Sequence, residues 1–225
     1  MRKIIFVTGT DTGVGKTLLT FLLLCHLRRR DVNALAMKPF CSGRRNDVEL
    51  IQTVQNHALP DGEVNPFYFP ESLAPLVAAR KHRRRISLSQ VLRSIARVET
   101  QCERVIIEGS GGVLVPLGEG FSVADLIAKL QCEIVVVGRN RVGTINHTLL
   151  AVGLLQRVTN QRIKIILMGQ KSRDISASSN ARILGELLAP IPVLSLRFLG
   201  QNAARPKAIE KNQQKIKKVL ARLCG

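Results

Sequence analysis

A glycine-rich turn set between two apolar stretches constrains this chain more than any other feature. Ile4 to Thr8 reads as a buried strand, Gly9-Thr10-Asp11-Thr12-Gly13-Val14-Gly15-Lys16-Thr17 follows, and Leu18 to Arg30 reads as a helix whose first two turns are apolar nearly all round. The usual phosphate-binding loop is G-x-x-x-x-G-K-[ST]. Here the leading glycine, Gly9, comes one place early. The chemistry still fits. Gly13 and Gly15 permit backbone conformations that a side chain forbids, so that successive N–H groups can turn inward on a polyphosphate. The helix that follows presents its partially positive end. Lys16 is then the cation for the terminal phosphates, and the Thr17 hydroxyl a ligand for their Mg²⁺.

A strand–loop–helix of this kind requires a sheet behind it, and the rest of the chain supplies one. Strands are expected at Asn33 to Lys38, Arg104 to Glu108, Glu133 to Gly138, Ile163 to Met168 and Pro192 to Leu196. Helices are expected at Asp47 to His57, Leu73 to Arg80, Leu88 to Thr100, Val123 to Leu130, Thr144 to Thr159, Ser176 to Leu188 and Ala208 to Leu223. Continuous Val/Ile runs without polar alternation are strands covered on both faces. Strands alternating with helices make a mostly parallel α/β sheet, here of the P-loop NTPase type. The stretch from Asn56 to Pro75 holds four prolines and a Pro60-Asp61-Gly62 turn, and reads as an excursion from the core. No repeat or linker divides the sequence, so the 225 residues read as a single domain, 1–225.

Charge and cysteine content narrow the setting. Thirty-four Lys and Arg against sixteen Asp and Glu give a net charge of +18. Such a surplus attracts polyanions. The basic clusters at Arg28 to Arg30, Lys81 to Arg85 and Lys207 to Arg222 have no interleaved aromatics, and with one Tyr and no Trp the chain is poorly equipped to stack bases, so they read as solvated faces. The five cysteines have no C-x-x-C spacing, which removes zinc ribbons and dithiol redox motifs and suggests free thiols. Ile4 to Val7 is too short for a signal-peptide core or a membrane span. A cytoplasmic location and no membrane partner are the expectation.

Two acids and a lysine stand where a phosphate loop needs them. Glu108 ends an apolar strand ahead of Gly109-Ser110-Gly111-Gly112, the position of a second metal ligand. Asp47 is either a further metal ligand or the N-cap of its helix. Lys38, at the end of the second strand, is either a phosphate clamp or an ordinary exposed lysine.

The set GTDTGVGKT at Gly9 to Thr17, Lys38-Pro39 with Ser42-Gly43, Asp47, Glu108 to Gly112 and Gly143-Thr144-Ile145-Asn146-His147 resembles the dethiobiotin synthetases in order and spacing over about residues 2 to 200. The resemblance implies an ATP- and Mg²⁺-dependent ligase of biotin biosynthesis that joins CO₂ to 7,8-diaminopelargonic acid, through a carbamate and a carbamic–phosphoric anhydride, and closes a cyclic urea. It implies Lys16, Lys38 and Thr12 as catalytic residues; Gly13, Val14, Gly15, Lys16 and Thr17 around the nucleotide, with Gly169 and Gln170 in the base-reading segment; and Thr17, Asp47 and Glu108 around the metal. Thr12, Lys38, Ser42, Gly111 and Gly112 would contact the diamine and carbamate. Gly143, Thr144 and Asn146 would contact the carboxylate tail across a homodimer interface.

The chain departs from that family's pattern in three places. Gly13 stands where an acid is frequent, Leu76 where an Ala-Pro-His segment has its histidine, and Gly169-Gln170 where an Asn reads adenine. The competing reading is an ATPase of the ParA/MinD type that uses its basic surface on DNA or an acidic membrane. Thr10-Asp11 lacks the early loop lysine of those ATPases, and Lys38 with Ser42 favours the ligase.

Overall fold

The computed structural model describes residues 3–172, 174–203 and 205–224, with the side chains of 206–224 limited to 208, 212 and 216–224. In chain order the elements are β1 (Ile4–Gly9), α1 (Lys16–Arg28), β2 (Ala34–Met37), β3 (Phe40–Ser42), α2 (Asn46–Val54), α3 (Asp61–Val64), β4 (Phe67–Phe69), α4 (Pro75–Lys81), α5 (Leu88–Glu99) and β5 (Arg104–Gly112). There follow β6 (Pro116–Gly118), β7 (Phe121–Ser122), α6 (Val123–Lys129), β8 (Cys132–Arg139), α7 (Thr144–Val158), β9 (Ile163–Met168), a 3₁₀ turn at Ile175–Ser178, α8 (Asn180–Leu187), β10 (Val193–Leu196) and α9 (Pro206–Cys224).

Six strands form one parallel sheet in the order β10-β9-β8-β1-β5-β2. Every residue of β1 is buried. Because successive side chains point to opposite faces, both faces of this central strand are covered, as its unbroken apolar run requires. One covering element is α1, with Leu19, Phe21, Leu22, Leu23 and Leu24 all in the core. Each such side chain contributes roughly 1.5–3 kcal/mol on burial.

The chain runs from β1 outward to β2 and back to β5, then crosses to β8 and on to β9 and β10. The order therefore reverses at β1, and in open parallel sheets the ligand crevice lies beyond the strand ends at that point.

Several expectations change in detail. β5 runs on to Gly112, so Glu108 sits within the strand rather than at its end. The helix expected over Ser176 to Leu188 is broken: Asp174 caps the 3₁₀ turn by accepting from Ser176 N at 2.8 Å, and the α-helix starts only at Asn180. The proline-rich excursion holds α3 and β4, and β4 pairs with β3 in a separate two-stranded sheet, Phe40 stacking on Phe67 at 4.9 Å. The β6–β7 hairpin, too short to register as a pattern, was not expected from the sequence. Residues 81–85 are all exposed, as are Lys217, Lys218 and Arg222, while the side chains of Lys207, Lys211 and Lys215 lie outside the described residues. No disulfide is formed among the described cysteines, and no described helix is long and apolar enough to cross a membrane.

Candidate active site

The loop after β1 turns on two glycines in the left-handed region, Gly13 at φ 70° and Gly15 at φ 107°. Gly15 is the N-cap of α1, with no side-chain cap and no acid in the first turn. The first-turn N–H groups are thus left for an anion from outside. Lys16 is buried beneath the loop and donates from Nζ to Asp11 O at 2.9 Å. Burial pushes its pKa down to about 8; Lys38 nearby adds to the fall, and Glu108 opposes it.

Strand register brings the other groups in. Val7 pairs with Glu108 across β1 and β5, and Met37 with Ile107 across β2 and β5, so Lys38 emerges beside Glu108. Lys38 Nζ donates to Glu108 Oε1 at 2.8 Å and to Asp47 Oδ2. Burial works against this ammonium, but the two carboxylates outweigh it and hold its pKa above the ordinary lysine range. The exposed-lysine alternative for Lys38 is thereby removed. Asn65 fixes its backbone, donating from Nδ2 to Lys38 O at 2.9 Å. Thr17 Oγ1 donates to the same Glu108 oxygen at 2.7 Å. Asp47 is not the N-cap of α2, a position that Arg45 holds; it lies inside the first turn and turns to Lys38.

These groups line one cavity of about 620 Å³, which takes in Thr12, Gly13, Gly15, Lys16, Thr17, Lys38, Ser42, Asp47, Glu108 and Gly111. The remaining residues singled out from the sequence lie elsewhere. Val14 is part of the core. Gly112 pairs with Gly9 at the ends of β5 and β1. Gly143 caps α7 at φ 88°, and Thr144 is buried beside a second small cleft rather than the main cavity. Asn146 lies in the first turn of α7. Gly169 is pressed against the chain after β10: a Cβ there would come within 2.6 Å of Phe198 N. Gln170 turns its amide back onto Met168 O at 2.8 Å.

Sequence reasoning missed Arg139. It ends β8 and reaches over the loop, donating from Nε to Gly13 O at 3.3 Å and from Nη2 to Thr12 O at 3.2 Å. A Cβ on Gly13 would lie 2.8 Å from this guanidinium, so the small residue there makes room for the arginine. The available signal was its place at the carboxyl end of the strand beside β1. Arg44 and the lip residues Ser72, Leu73, Ala74 and Pro75 also border the cavity unannounced.

The donor set suits Mg²⁺. Thr17, Asp47 and Glu108 offer hard oxygens, and Glu108 Oε2 is buried with no hydrogen-bond partner among the described residues. Two carboxylates and a hydroxyl leave the other positions to phosphates and water, the habit of Mg²⁺ in nucleotide sites.

An AAA domain family model matches residues 3–195. The ATP-dependent dethiobiotin synthetase BioD of Bacillus velezensis is 36% identical over 197 residues, which span 85% of this chain and 84% of the relative. That of Bacillus licheniformis is 39% identical over 197 residues, spanning 85% and 83%. The chain belongs to the AAA domain family and, within it, to the dethiobiotin synthetases. For this dethiobiotin synthetase family member, solved structures add the wider fold. The MinC:MinD cell division complex of Aquifex aeolicus includes a chain with a TM-score of 0.66 at 14% identity, covering 100% of this chain and 96% of that one. A pNOB8 ParA bound to nonspecific DNA has a TM-score of 0.59 at 13% identity, covering 99% and 96%. At such identities the likeness is one of fold alone.

Proposed function

We propose that the chain is an ATP-dependent carbon–nitrogen ligase that forms dethiobiotin from a vicinal diamine, 7,8-diaminopelargonic acid, and CO₂, working as one unit over residues 1–225. The observation that carries this reading is the pairing of a phosphate loop with a cavity whose cations, Lys16, Lys38 and Arg44, outnumber its acids, Asp47 and Glu108. The reaction must bring together two anions, a triphosphate and a carbamate, and such a cavity lowers their repulsion.

One amine of the substrate adds to CO₂ and loses a proton, giving a carbamate. A carbamate oxygen attacks the γ-phosphorus and ADP leaves, giving a carbamic–phosphoric anhydride. The neighbouring amine attacks the carbamoyl carbon, the C–O bond to phosphate breaks, the departing phosphate takes up the proton that the amine nitrogen gives up, and the cyclic urea closes. Lys16 supplies positive charge as phosphoryl transfer proceeds. Lys38, kept protonated by its two carboxylates, would meet the carbamate together with Thr12 and Ser42, a role supported by their sharing one cavity lining. Mg²⁺, held by Thr17, Asp47 and Glu108, would neutralise the phosphate oxygens. Gly111 borders the diamine, and the carboxylate tail is received by Gly143, Thr144 and Asn146 of a second copy in a homodimer. That these three lie outside the cavity of their own chain supports such sharing.

The test is incorporation of isotopically labelled bicarbonate into an acid-stable product. The reading requires incorporation that depends on diamine, ATP and Mg²⁺ together; labelled product without the diamine would overturn it.

A further inference from the structure

A second cavity, of about 600 Å³, opens at the opposite end of the sheet. Lys3 leads into β1, Arg104 begins β5, His26 and Leu27 close α1, and Ala221 and Cys224 come from α9. It shares no lining residue with the active-site cavity. β1 separates the two, and its six residues span about 20 Å at the usual rise.

The lining has two characters. Lys3, Arg30 and Arg104 supply positive charge, while Leu27, Val32, Ala221 and Cys224 give an apolar wall. The acid at the border, Glu103, accepts from Asn33 N at 2.8 Å and keeps its charge, so the three cations exceed it by two. Arg104 is partly committed too, donating to Cys224 O at 2.7 Å, so Lys3 and Arg30 carry the charge argument. Burial pushes the Cys224 thiol up to about 11, so it adds no negative charge. His26 is buried, and its Nε2 has no hydrogen-bond partner among the described residues. The closing end of α1 carries a fractional negative charge of roughly half a unit, less than the two full charges beside it.

We propose that this cavity binds a small amphiphilic carboxylate, its head met by Lys3 and Arg30 and its hydrocarbon body laid on Leu27, Val32 and Ala221. A bare inorganic anion would leave the apolar wall wet, and an uncharged hydrocarbon would leave the cations unanswered. The inference does not rest on the ligase reading, since none of these residues belongs to the catalytic cavity.

Calorimetric titration of the full chain with octanoate, acetate, octylamine and inorganic phosphate tests it. Octanoate should bind at least about tenfold more tightly than acetate or phosphate, and octylamine should not bind. Lys3→Gln and Arg30→Gln should each raise the octanoate Kd about threefold, in keeping with the modest strength of exposed charge pairs. Ala221→Phe should abolish binding by filling the cavity, while Lys38→Ala, in the catalytic cavity, should leave it intact. Thermal melts would establish that the variants are folded; Arg30 is exposed and its replacement should not disturb the core. Phosphate binding as tightly as octanoate, equal affinity for acetate and octanoate, or an octanoate Kd unchanged in both Lys3→Gln and Arg30→Gln would overturn the proposal.

Discussion

Thr17 Oγ1 lies 2.7 Å from Glu108 Oε1, although 91 positions separate the two residues in the chain. The contact joins the first turn of α1 to the middle of β5 and sets a hydroxyl and a carboxylate side by side in the lining of the cavity. Removing charge from this group should weaken the hold on Mg²⁺. Glu108→Gln and Asp47→Asn should each raise the Mg²⁺ concentration for half-maximal turnover by about tenfold, a loss of about 1.4 kcal/mol. A Mg²⁺ titration checks it, and an unchanged curve for Asp47→Asn would leave Asp47 as a partner of Lys38 alone.

Lys16 has no substitute within the loop. Lys16→Ala should lower kcat/KM by at least about 100-fold, or about 2.7 kcal/mol, since the proposed function has this charge act on the phosphoryl group in transfer. Steady-state kinetics at saturating diamine and varied ATP measures this, and near-normal turnover would remove the loop from catalysis.

Arg139 clamps the loop through the carbonyls of residues 12 and 13. Arg139→Ala should raise the KM for the nucleotide roughly tenfold, about 1.4 kcal/mol and so just below the range usual for hydrogen bonds from charged donors, as two long and exposed contacts warrant, with a smaller change in kcat. Arg139→Lys should recover little, since one ammonium cannot span two carbonyls as the guanidinium fork does. Equal kinetics for Arg139→Ala and the unaltered protein would make the clamp incidental.

Much of the architecture was legible because it is local. The apolar runs of β1, β5 and β8 have one stable reading as doubly covered strands, and the turn from Gly9 to Thr17 fixes the helix that follows. What escaped was non-local. The carboxyl end of β5 is glycine-rich and looks like loop, yet it continues as strand because Gly112 pairs with Gly9. Asp47 stood open between a metal ligand and a helix cap, and only the arrival of Lys38, the residue after β2, shows it turned away from capping. Arg139 had no motif, because its role depends on β8 lying beside β1.

Nucleotide choice follows from the segment after β9. Gly169 is confined by the backbone of residues 196–198, and Gln170 Nε2 donates to Met168 O, so the asparagine that the family resemblance places in this segment has no counterpart held out toward a base. Recognition then rests on the phosphates, which are the same in every nucleotide. CTP and GTP should support turnover within about tenfold of ATP in kcat/KM, a gap of about 1.4 kcal/mol. A preference for ATP beyond a hundredfold would show that another residue reads adenine.

The central claim, that phosphoryl transfer here serves ring closure of a diamine, is tested most directly by phosphate release. With ATP, Mg²⁺ and bicarbonate present, release should be near background until 7,8-diaminopelargonic acid is added, and should then match dethiobiotin formed one for one. Release that ignores the diamine but rises with duplex DNA or anionic vesicles would contradict the account and point instead to a switch ATPase acting through the basic surface.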